Sequence, residues 1–66
     1  MYYLAKLDLT THQGSQAFKD EVFRIVGVTE SRATDSLWGR AWTMGHEGGW
    51  EEILYCFWDL CEMEGL

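Results

Sequence analysis

The chain has no proline, only two cysteines, and no lysine or arginine after Arg40. Without proline, breaks between elements fall to glycine-rich stretches such as "GHEGG" at 45–49. Two cysteines allow at most one bridge, and both sit near the end, at Cys56 and Cys61. On a helix, five residues turn the chain by about 140°, which points the two thiols apart and makes an internal disulfide implausible. Free thiols suit a reducing compartment, so a cytoplasmic location is expected. The amino end, "MYYLAKLDL", lacks the basic start and apolar run of a signal peptide. No apolar run approaches the roughly 20 residues that cross a bilayer.

What is present bounds the class. Sixty-six residues allow a single small domain, 1–66, and the hydrophobic fraction of 47% is that of a globular chain. A domain this small buries only about 60% of the surface its unfolded chain exposes, so its core needs reinforcement. The reinforcement is aromatic: four Trp, three Tyr and three Phe.

The net charge of −6 is confined to one end. Residues 1–45 hold five basic and five acidic side chains and are neutral in sum. Residues 46–66 hold Glu47, Glu51, Glu52, Asp59, Glu62 and Glu64 with no basic side chain. Such asymmetry bears on partners and association rates rather than on fold.

Periodicity predicts an α+β domain. Tyr3, Ala5, Leu7 and Leu9 alternate with Lys6 and Asp8, the period of a half-buried strand over 2–9. Phe18, Val22, Ile25 and Val26 form a helical stripe. With Ser15 as its cap and Gly27 as its stop, that helix covers about 15–26. From Leu37 to Met44 the residues alternate again, which predicts a strand over 36–44, and a segment within 28–34 can pair with it as a third strand. Trp50, Ile53, Leu54, Phe57, Leu60 and Cys61 make one continuous stripe, a helix over 49–63. The expected architecture is a small antiparallel sheet of two or three strands packed against two helices.

The last helix carries more apolar residues than its stripe needs. Tyr55 falls beside Glu51 and Glu62, Met63 beside Glu52, and Trp58 at the stripe's edge. Glu62 lies near the helix end, where the dipole disfavours acids, and no basic residue stands three or four positions away. Local helix physics leaves it unexplained. Tyr, Trp and Met are frequent at interface cores. The candidate partner-binding residues are therefore Glu51, Glu52, Tyr55, Trp58, Asp59, Glu62 and Met63.

Other constellations are weaker. His12, His46, Cys56 and Cys61 lack metal-ligand spacing, and no Cys-x2-Cys pair exists. Acids around both thiols raise rather than lower thiol pKa, which argues against a nucleophile. "GHEGG" lacks the Gly-Lys-Ser/Thr of a phosphate loop. On a strand, Trp38, Arg40 and Trp42 share one face and can stack bases, but a net charge of −6 opposes phosphate binding.

These observations favour a non-enzymatic, acidic protein-binding module without cofactor or metal. Its expected partner is a larger protein with a basic surface, including a nucleic-acid-binding complex. Neither a membrane nor nucleic acid itself is expected to bind directly. In size, acidity and lack of a catalytic motif the chain is similar to small phage-encoded inhibitors, such as anti-CRISPR and DNA-mimic proteins. That likeness is one of general character, and it implies carboxylates that stand in for phosphates. One alternative is a homodimer or an obligate subunit of a complex, with Tyr55, Trp58 and Met63 in the interface. A second is a single-stranded nucleic-acid binder using Trp38, Arg40 and Trp42.

Overall fold

The computed structural model describes residues 3–66. Among them the architecture is all-helical: a 3-10 turn at Tyr3–Lys6, then α1 (His12–Val26), α2 (Arg32–Gly45) and α3 (Trp50–Met63). A further 3-10 turn, His46–Gly48, joins α2 to α3. No strand occurs among the described residues, so the expected antiparallel sheet is absent and the α+β assignment is corrected to an all-α bundle.

Each corrected strand has a physical reason. The expected strand 2–9 begins on Tyr2, which lies outside the described residues. Its remainder forms the first 3-10 turn and the loop after it. Leu4 and Leu7 stand three apart, the repeat of a 3-10 helix, and the Leu7 amide donates to the Leu4 carbonyl at 3.2 Å. Leu4, which a strand would have turned away from Leu7 and Leu9, is buried. Residues 36–44 lie inside α2. Trp38 and Trp42, like Leu37 and Ala41, are four apart, and a spacing of four satisfies both a period of 2 and a period near 3.6.

The start of α2 decides between the two. Ser31 accepts from the Thr34 amide at 3.2 Å, and the Thr34 hydroxyl accepts from the Ser31 amide at 2.7 Å. This capping box ends the extended segment at Ser31 and launches a helix, so the third strand is also absent. At α1 the cap is Thr11 rather than Ser15: its hydroxyl accepts from the Gly14 amide at 2.9 Å. Gly27 closes α1 in the left-handed conformation, φ 90°, as its position after Val26 predicts.

α2 and α3 approach closely. A methyl group on Gly45 would sit 2.8 Å from the Ile53 amide nitrogen and 2.9 Å from the Glu52 carbonyl. α1 is held instead by large rings. Phe23 stacks on Phe57 with centroids 4.9 Å apart. Trp38 meets Phe18, Phe23, Trp42 and Phe57, all within 5.4–6.1 Å. Such pairs stabilise by about 0.5–1.5 kcal/mol beyond area burial. Lys19 ties α1 to the start of α2: it pairs with Asp35 at 2.9 Å and Glu30 at 3.5 Å and lies over the Phe23 ring. The Asp35 carboxylate raises the Lys19 pKa.

Candidate partner-binding face

α3 begins after Gly49, whose φ of 91° and ψ of −172° belong to a region open essentially to glycine. No side chain caps this end; Glu51 and Glu52 lie in the first turn, where the helix dipole favours acids. The far end closes through the Leu66 amide on the Cys61 carbonyl, 2.9 Å, and the Gly65 amide on the Glu62 carbonyl, 3.1 Å. Between these ends Ile53, Leu54, Phe57, Leu60 and Cys61 are buried, so the stripe read from the sequence faces the core.

The structure exposes all seven candidate residues: Glu51, Glu52, Tyr55, Trp58, Asp59, Glu62 and Met63. At 3.6 residues per turn they occupy one continuous arc of roughly 140°, from Trp58 to Met63. Tyr55 is 56% exposed, Trp58 38% and Met63 79%. Among the described residues none of the acids on this arc forms an ion pair; the chain's ion pairs use Glu21, Glu30 and Asp35. Trp58 has no ring or cation contact among the described residues, whereas Trp38 and Trp42 are engaged in the aromatic core.

Trp38, Arg40 and Trp42 do not share a face. On α2, Trp38 and Trp42 point inward and are half-buried, while Arg40 is exposed roughly 160° around the axis from Trp38. The strand face on which a base-stacking reading rested does not exist. Arg40 instead borders a shallow depression of about 430 Å³ with Asp35, Ser36, Gly39, Thr43 and Met44. Met44, 63% exposed, escaped the sequence reading because alternation placed it with Trp38 and Trp42. A helical wheel places it at the edge of the inward face, about 20° from Leu37, and the structure leaves it in solvent.

Cys61 is buried and burial raises its thiol pKa. Cys56 is half-buried, and its thiol is pushed up first by burial, then by Glu52 and Asp59. Both thiols are held in the less nucleophilic form. The His46 ring sits 3.1 Å from the Trp42 carbonyl, at the end of α2. Among the described residues no three His, Cys, Asp or Glu side chains gather around a common point suited to a metal ion. No helix among them is long and apolar enough to cross a membrane.

A family model described as a family of unknown function (DUF8546) matches residues 6–63. The chain belongs to that family. No curated protein and no solved structure matches it. The DUF8546 match takes in α1, α2 and α3 from end to end, and with them every residue of the exposed arc.

Proposed function

We propose that this DUF8546 protein is a non-enzymatic binding module that docks the outer arc of α3 on a basic surface of a larger protein in the cytoplasm. One observation carries the reading: an unbroken exposed strip that combines Glu51, Glu52, Asp59 and Glu62 with Tyr55, Trp58 and Met63, none of its acids neutralised by a described cation. The carboxylates supply steering and register, and the apolar side chains supply area that gains from losing water. A basic surface that otherwise holds nucleic acid is the partner such a rigid carboxylate array fits best, as in the phage-encoded inhibitors the chain is similar to. Pairing α3 with α3 in a dimer would bring these carboxylates together, and like charges facing one another oppose that arrangement.

The test is a charge reversal, Glu51→Lys with Asp59→Lys and Glu62→Lys, followed by capture of host proteins on the immobilised chain. These positions are exposed, so the helical circular dichroism of the triple variant stays that of the wild type. Partners retained by the wild type at low salt are lost from the variant, and wild-type retention weakens as salt rises. Equal capture by both chains refutes the reading.

A further inference from the structure

The ring of Trp58 stands apart from the other engaged indoles. Trp38 and Trp42 spend their faces on Phe18, Phe23, Phe57 and each other. Trp58 is exposed and, among the described residues, contacts neither a ring nor a cation. Tyr55, also exposed, is one turn before it, and side chains three apart on a helix are neighbours. Glu62 stands four residues after Trp58, and Glu51 four residues before Tyr55. Two electron-rich rings therefore lie in a row between two unpaired carboxylates.

Among the described residues no cation of the chain pairs with these carboxylates or lies over these rings: Lys6, Arg32 and Arg40 are in no ion pair, and the other two are used elsewhere. Lys19 is committed to Asp35 and Glu30, and Arg24 to Glu21. An external cation must lie flat on an indole and reach a carboxylate in the same pose. Guanidinium does both: it is planar, weakly hydrated, stacks on aromatic faces and binds carboxylate with two parallel hydrogen bonds. Ammonium is a compact, strongly hydrated point charge that gains less from the ring. Resting on the docking reading above, we infer that the strip selects arginine over lysine: a partner arginine stacks on Trp58 and is clamped by Glu62, one turn away.

The experiment uses two peptides of equal length and charge, one with arginine and one with lysine at every cationic position. Each is titrated against the intact protein by calorimetry at low salt. The arginine peptide binds about tenfold more tightly, the scale of one desolvated cation–π contact. Trp58→Leu weakens the arginine peptide more than the lysine peptide and so erases the preference; Trp58→Phe, which keeps a ring, retains part of it. Glu62→Gln weakens both peptides. Equal affinity for the two peptides, with both weakened by Glu62→Gln, overturns arginine selection while leaving the docking reading intact. No binding of either peptide overturns both. Light scattering covers the remaining occupant: self-association that disappears in Arg40→Ala would place a second copy's arginine on Trp58 and overturn a separate partner.

Discussion

Two glycines of α2 separate close packing from open surface. At Gly45 an added methyl group meets the backbone of Glu52 and Ile53, which cannot rotate away as a side chain tip can. Gly45→Ala is therefore expected to cost about 1–3 kcal/mol, the range for overpacking a tight contact, read as a lower denaturant midpoint with an unchanged slope. Gly39, six residues earlier, has nothing within 4 Å of the corresponding position and sits mid-helix. There Gly39→Ala stabilises by about 0.5–1 kcal/mol, because alanine loses less backbone freedom on folding. A neutral or stabilising Gly45→Ala would mean that α2 and α3 do not meet at Gly45. The cysteines give a second residue-scale outcome. Burial, then Glu52 and Asp59, raise the Cys56 pKa, so the folded chain favours the thiol. Its stabilising contribution is complete below the unfolded thiol pKa and is lost as pH rises through the folded value. Iodoacetamide should modify Cys56 with a pH midpoint above that of the urea-unfolded chain, and Cys61 only on unfolding. A Cys56 midpoint below that of the unfolded chain contradicts this environment.

At the scale of elements, α3 carries a conflict between its own stability and its surface. Glu62 lies in the last turn, where the negative end of the dipole repels it, and no cation compensates. Glu62→Lys should therefore raise thermal stability by about 0.3–1 kcal/mol while weakening partner capture. A variant that loses stability would mean that Glu62 has a structural role in the isolated chain, and its place in the docking strip would have to be given up. α3 was also the most legible element. Six inward residues over twelve positions fit a 3.6 repeat and no other, and the seven outward residues followed from the same wheel. α2 was misread because two of its six inward residues, Thr34 and Gly45, carry no apolar signal, because the other four form two pairs spaced four apart, and because tryptophan is common in strands. Its start signal was disguised as well: the capping box closes with Thr34 in place of the usual glutamate or glutamine. The 3-10 turn at Tyr3–Lys6 is too short for any period to stand out. The error at α2 reached the site reading directly, since it joined Arg40 to the two indoles and hid Met44.

The whole molecule measures 30 × 23 × 21 Å, and its charge is best judged against that size. At 0.01 M salt the screening length is about 30 Å, so every charge feels every other; at 0.15 M it is about 8 Å and only near neighbours interact. With a net charge of −6 and the acids of the arc unpaired, the folded chain repels itself more than an expanded chain does. Salt should then act on this protein in two opposite directions. Between 0.01 and 0.15 M sodium chloride the melting temperature rises, as self-repulsion is screened, while affinity for a basic partner falls. The triple reversal at Glu51, Asp59 and Glu62 separates the two effects. Each change adds two charges, so the three take the chain from −6 to 0. Its melting temperature should become nearly independent of salt and, at 0.01 M, exceed that of the wild type. If the wild-type melting temperature instead fell with salt, attraction within the fold would outweigh repulsion. The arc's carboxylates would then be satisfied by the chain itself, leaving no surplus of negative charge to draw a partner in.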